Sequence, residues 1–147
     1  MNINIRRVDS DNYEEVKSLK VGEGQEGFIE TNEECLDEAK ELDLWRPVGI
    51  YDGNELIGFS MYGLFEEQSR VWLDRFMIDR RYQGKGYGKA AIKIMIDRLI
   101  DEYNCKEIYL STYIENVNAI NLYESIGFRF NGELDTKGEK VMRLDLK

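Results

Sequence analysis

The sequence predicts an α/β protein of the mixed α+β kind: a central mixed β-sheet flanked by helices, in the order βααβββαβαββ, filling one domain over residues 1–147. Three observations carry that expectation. Short stretches alternate apolar and polar residues between Gly, Asn and Asp, which is the period of a half-buried strand. Other stretches place apolar residues three and four apart behind helix-start signals. The two periods interleave, and interleaved strands and helices pack as layers.

Each element has its own signal. Ile3 and Ile5 alternate with polar neighbours and mark a short first strand. Asp11 with Glu14 reads as a capping box opening a helix that carries Tyr13, Val16 and Lys20 or Leu19 on one side. Thr31 with Glu34 repeats the signal before a second helix with Leu36, Ala39 and Leu42. Val48–Tyr51, a turn at Asp52-Gly53-Asn54, and Glu55–Leu64 read as a hairpin. The polar turn Glu66–Ser69 then leads into a strand over Arg70–Ile78. A long helix follows a glycine-rich stretch, with Ile92, Met95, Ile96, Leu99 and Tyr103 on one side. Ile108, Leu110 and Thr112 mark the next strand. Asn118–Ile126 reads as a shorter helix with Ala119, Leu122 and Ile126 inward, ended by Gly127 at the left-handed cap position. Phe128–Phe130 and Val141–Leu146 close the sheet as a hairpin.

Composition narrows the function classes. With 42% hydrophobic residues the chain can fill an ordinary core. No window approaches the ~18 apolar residues of a membrane span, and no apolar signal core stands at Met1–Arg7, so the expectation is a cytoplasmic protein with no membrane partner. Cys35 and Cys105 stand alone and the chain has no histidine, which excludes a His-based triad and argues against a metal site. The net charge of −9 makes nucleic acid an unexpected partner. The charge is also unevenly placed. Nine acids between Glu23 and Asp43 face one base, Lys40, giving −8. From Arg75 to Lys93, six bases (Arg75, Arg80, Arg81, Lys85, Lys89, Lys93) face only Asp79, giving +5. One region suits a cation and another an anion, although either reads equally as a solvated helix face.

Gln83-Gly84-Lys85-Gly86-Tyr87-Gly88-Lys89 lies between a strand and a helix. Glycines there let the backbone approach a ligand and turn N–H groups toward one point, the helix N-terminus adds partial positive charge, and Lys85 and Lys89 add formal charge. Phosphate or pyrophosphate is the chemistry this suits. A Walker A loop needs Ser or Thr after Gly-Lys, which is missing, and a Rossmann fingerprint starting at Gly84 needs a small residue where Lys89 stands. The pattern Q/R-x-x-G-x-G/A fits at every position.

That hexapeptide, following Val71–Ile78, resembles the coenzyme A signature of the GNAT N-acetyltransferases. A second block, Asn116-Val117-Asn118-Ala119-Ile120-Asn121-Leu122-Tyr123-Glu124-Ser125-Ile126-Gly127-Phe128, resembles the family's N-x-x-A-x-x-L-Y-x-x-x-G-F segment. The stretches Arg46–Gly49 and Asn131–Asp135 resemble bacterial spermine/spermidine N-acetyltransferases, so the similarity covers essentially the whole chain. The resemblance implies acetyl-CoA as co-substrate without a metal, a small-molecule polyamine as acceptor, and a homodimer. Phe76, Met77 and Ile78 would offer main-chain groups to the pantetheine arm. The loop from Gln83 through Gly84, Lys85, Gly86, Tyr87, Gly88 and Lys89 would cradle the pyrophosphate. Asn116 would contact the coenzyme, although Asn is also a favoured helix cap. Tyr123 would serve the departing thiolate as general acid. Asp74 stands where related polyamine acetyltransferases carry a carboxylate near the attacking amine, and strand alternation places it with Trp72, Phe76 and Ile78.

The expected reaction is direct attack of a primary amine on the thioester in a ternary complex. An amine of pKa ~10.4 is mostly protonated at pH 7, so a base must take its proton, and Asp74 and Glu30 are the candidates. Glu30 and Glu33 would also offer counter-charges to the distant ammonium groups of a polyamine. Free Tyr (pKa ~10) is a weaker acid than a thiol (~8.5), so Tyr123 could be confined to a hydrogen bond. Other readings stay open: acetylation of another small amine or of a protein N-terminus, or a non-catalytic acyl-CoA sensor.

Overall fold

The computed structural model describes residues 1–21, 31–135 and 137–146. Its elements follow the expected order: β1 (Ile3–Arg7), α1 (Tyr13–Ser18), α2 (Asn32–Glu41), β2 (Arg46–Asp52), β3 (Glu55–Phe65), β4 (Arg70–Ile78), α3 (Tyr87–Tyr103), β5 (Glu107–Thr112), α4 (Val117–Ile126), β6 (Arg129–Leu134) and β7 (Lys140–Asp145). A 3₁₀ turn at Arg80–Tyr82, not foreseen, joins β4 to the glycine loop.

The strands form one mixed sheet in the order β1-β2-β3-β4-β5-β7-β6. The first four make an antiparallel meander, α3 crosses over to put β5 parallel to β4, and β7 returns antiparallel to β5. Apolar clusters occupy both faces. Ile92, Met95 and Leu99 of α3 and Tyr123 of α4 pack on Leu73, Ile108 and Met142. Val16 of α1 and Cys35 and Leu36 of α2 pack on Phe59, Met61 and Met77. Each helix turns its apolar stripe to the sheet, because only there does burial remove that stripe from water.

Local signals hold in part. The Thr31 box forms fully: the Thr31 hydroxyl accepts from the Glu34 N–H at 3.1 Å, and the Glu34 carboxylate accepts from the Thr31 N–H at 3.2 Å. The Asp11 box does not form. Asn12 caps α1 in position only, its side chain bridging instead from the Asp9 N–H to the Arg7 carbonyl. In α4 the fully inward positions are Ile120 and Tyr123, with Ala119, Leu122 and Ile126 only partly covered.

Strand β4 is irregular in two ways. Met61 pairs with Arg75 and Tyr62 with Leu73, so Asp74 is an extra residue, a β-bulge. An inserted residue reverses the side-chain phase. Val71 and Leu73 face the α3 side before the bulge, whereas Phe76 and Ile78 face it afterwards. The expected face shared by Trp72, Asp74, Phe76 and Ile78 is therefore corrected: the alternation breaks at Asp74. Secondly, β4 and β5 pair only at Val71–Ile108 and Trp72–Tyr109, and beyond those pairs the strands part.

Candidate active site

A cavity of about 580 Å³ opens where β4 and β5 diverge. Leu73–Ile78 form one wall and Leu110–Thr112 the other, while Gly84 and Gly88 and the turn between β6 and β7 also border the space. Parted strands leave main-chain N–H and C=O groups without ladder partners, ready for an extended ligand.

The loop after β4 is built for close approach. The Gln83 amide donates to the Ile78 carbonyl at 2.9 Å, tying the loop to the strand end. Gly84 and Gly86 have φ of +77° and +86°, where an L side chain is strained, and Gly86 is the N-cap of α3. Gly84 and Gly88, on either side of that cap, border the cavity, so the start of α3, whose first N–H groups have no partner within the helix, lies beside it. Gln83, Gly84 and Gly88 line the cavity, as do Phe76, Met77, Ile78 and Asn116. Asn116 sits at the α4 cap position but makes no side-chain cap bond, which leaves its amide for a ligand. Lys85, Gly86, Tyr87 and Lys89 are outside the cavity lining. Lys85 and Lys89 are exposed on the loop and first turn, and the Tyr87 hydroxyl donates to Asp52 at 2.6 Å, fastening α3 to the β2–β3 hairpin.

Tyr123 reaches the same cavity from α4, 9% exposed, its ring edge-on to Phe128 at 5.9 Å. Burial pushes its phenol up to about 12, with Arg75 pulling the other way. It is thus a weaker acid than free tyrosine and holds its proton across the working range.

Asp74 lines the cavity opposite, held there by the bulge. Asp74 is an exposed residue of the wall, open to the cavity, and the neighbouring protein removes only part of the water around its carboxyl. That desolvation, followed by the charges of Glu38 and Glu139, raises its pKa to about 7, against the pull of Arg75. A carboxylate that titrates near neutrality is poised to take a proton there.

Sequence reasoning missed part of the acidic lining. Glu38 of α2 and Asp135 and Glu139 beside the β6–β7 turn face the cavity. The Ser111 hydroxyl lies 3.0 Å from Asp135 and 3.4 Å from Glu139. The Glu139 carboxyl is raised by burial and then by Asp135. Only Glu38 belongs to the acidic run, and no local pattern marks the other two, which are brought in by the hairpin. Glu33 lies elsewhere: it pairs with Lys17 at 3.6 Å and lines a second cavity under α1 and α2. Glu30 lies outside the described residues. Cys35 lines the main cavity, but burial raises its thiol to about 12, so it is no nucleophile. Among the described residues no group of His, Cys, Asp or Glu is arranged to hold a metal, and no helix is long and apolar enough to cross a membrane.

The chain resembles known proteins along nearly its whole length. It is 50% identical over 152 aligned positions to a spermine/spermidine N(1)-acetyltransferase of Bacillus subtilis (strain 168), covering 99% of this chain and 100% of that one. Its fold matches a spermidine N-acetyltransferase of Vibrio cholerae solved with CoA and spermine, at TM-score 0.74 and 22% identity over 97% of this chain and 93% of that one. It also matches the ribosomal-protein-S18-alanine N-acetyltransferase of Escherichia coli, at TM-score 0.71 and 18% identity over 99% and 94% of the two chains. The sequence profile described as the Acetyltransferase (GNAT) family matches residues 10–128, which span both the glycine loop and the Tyr123 segment. By that match and by the half-identical relative, the chain belongs to the GNAT acetyltransferase family.

Proposed function

We propose that this acetyltransferase moves the acetyl group of acetyl-CoA to a primary amine of a polyamine such as spermine or spermidine. The observation that carries the reading is the acidic lining of the cavity: Asp74, Glu38, Asp135 and Glu139 converge on the space that Tyr123 faces. A polycation needs a proton acceptor at its reacting end and counter-charges at its other nitrogens, and this lining supplies both. The half-identical Bacillus relative acts on spermine and spermidine.

Bound acetyl-CoA supplies the acetyl group as a thioester. The freed main chain of Phe76, Met77 and Ile78 holds its pantetheine arm. The glycine loop and the start of α3 take its pyrophosphate, with Lys85 and Lys89 as neighbouring positive charge. Asn116 adds a polar contact. Holding two substrates in line contributes up to ~7–11 kcal/mol. Asp74 takes the ammonium proton and leaves the amine free to attack. Tyr123 gives a hydrogen bond to the departing sulfur without surrendering its proton, because its phenol is the weaker acid. Glu38, Asp135 and Glu139 hold the distant ammonium groups. The homodimer is part of the same proposal, and light scattering of the purified protein measures it.

Thiol release with acetyl-CoA across spermine, spermidine, a monoamine, an aminoglycoside and a peptide N-terminus tests the assignment. The polyamines should give the highest kcat/KM. A higher value for the peptide or the monoamine rejects the polyamine reading.

A further inference from the structure

Beside Asp74 in β4 stands a residue that the proposed chemistry leaves unused. Arg75 is 5% exposed and lines both the main cavity and the second cavity beneath α1 and α2. One of its N–H groups, at Nη2, donates to Asn32 Oδ1 at 2.8 Å, and Asn32 Nδ2 donates in turn to the Val16 carbonyl at 2.9 Å. Its Nε and Nη1 are buried without a hydrogen-bond partner among the described residues. No carboxylate of the described residues forms an ion pair with it. A charge buried in this way is costly to a fold, and pinning α2 to β4 needs only the one bond to Asn32.

We propose that Arg75 is a positioning residue of the transfer reaction: its buried guanidinium, paired with no carboxylate among the described residues, is the fixed positive charge that keeps the adjoining Asp74 ionised when an amine must lose its proton. The inference rests on Asp74 as proton acceptor. The other charges that shift Asp74 work the opposite way. Glu38 on α2 and Asp135 and Glu139 around the β6–β7 turn are all acids. Lys137 in that turn also lines the cavity, and Glu34, Cys35 and Tyr123 are the further titratable groups around the arginine. The lining that attracts a polycation would thus hold its own base protonated. Arg75, the next residue in the chain and itself buried, offsets it from within the wall.

The test is the pH dependence of kcat/KM for spermine at saturating acetyl-CoA, with calorimetric coenzyme affinity and thermal unfolding as controls. The wild type should show a limb near pH 7 below which activity falls. In Arg75→Met that limb should move up by about one pH unit, so that kcat/KM falls roughly fivefold at pH 7, roughly tenfold well below it, and largely recovers by pH 9. Arg75→Lys should keep the limb near its wild-type position. Asn32→Asp places a carboxylate against an intact Arg75 and should move the limb upward too, which serves if Arg75→Met does not fold. A limb unmoved in Arg75→Met or, where that variant does not fold, in Asn32→Asp overturns the proposal, as does an Arg75→Lys displaced as far as Arg75→Met. Asp74→Asn separates the two ideas. A limb that survives in it removes Asp74 as the base, whereas a limb lost there but unmoved by the arginine variants removes Arg75 alone.

Discussion

Asp74 and Tyr123 face one cavity and are shifted in the same direction by the same cause, yet the consequences differ. Desolvation brings a carboxyl up to about 7, into its working range, and takes a phenol up to about 12, out of it. Tyr123→Phe should therefore keep coenzyme affinity by calorimetry and lose most of kcat, since only the hydrogen bond to the leaving sulfur is removed. Normal kcat in the folded variant would return Tyr123 to the core cluster it shares with Phe128. Asp74→Asn should lose turnover but gain stability. The carboxyl is raised in the fold above its unfolded value of ~3.9, so its ionised form penalises the fold fully above pH 7 and not at all below about pH 4. The melting temperature of Asp74→Asn should exceed that of the wild type at pH 8, and the gap should close as pH falls from 7 to 4. A gap that widens toward acid would contradict the raised pKa.

At the scale of elements, the strand–loop–helix unit of β4, Gln83–Gly86 and α3 is the proposed coenzyme end of the site. Gly86 combines φ of +86° with the N-cap position of α3. Gly86→Val should strain the backbone there by ~1–3 kcal/mol and tilt the N–H groups proposed to hold phosphate. The expected result is loss of acetyl-CoA binding in calorimetry with the far-UV spectrum retained; unchanged affinity would remove the loop from the coenzyme site. The bulge at Asp74 is the second decisive element. Without the inserted residue, Phe76 and Ile78 would turn to the other face of the sheet.

At the scale of the whole molecule, charge is divided between a basic loop and an acidic end of one cavity. Exposed ion pairs are worth only ~0.2–1 kcal/mol each, so substrate selection should come from several acids together. Glu38→Gln with Glu139→Gln should raise KM for spermine more than for a monoamine of similar length, and the wild-type KM for spermine should rise with ionic strength. Charge reversal at Glu33 should change neither, because Glu33 faces the second cavity beside Lys17. Equal effects on both amines would make the acidic lining a solvated surface.

The element order, the Thr31 capping box, the glycine loop and the Tyr123 segment were legible in the sequence, because periodicity, caps and glycine turns are set by neighbours a few residues apart. The site in full was not. The bulge that redirects Asp74 exists only in the register between β3 and β4, which strand alternation within β4 alone cannot reveal. Asp135 and Glu139 are far from Asp74 in the chain and reach its cavity only because β7 pairs with β5. Arg75 reads as one more base of a positive run until packing buries it without a carboxylate partner among the described residues. Local sequence thus determined which elements form and which ligand the loop suits. The placement of charge around the reacting atoms depended on long-range pairing and burial, and so was decided by the tertiary structure.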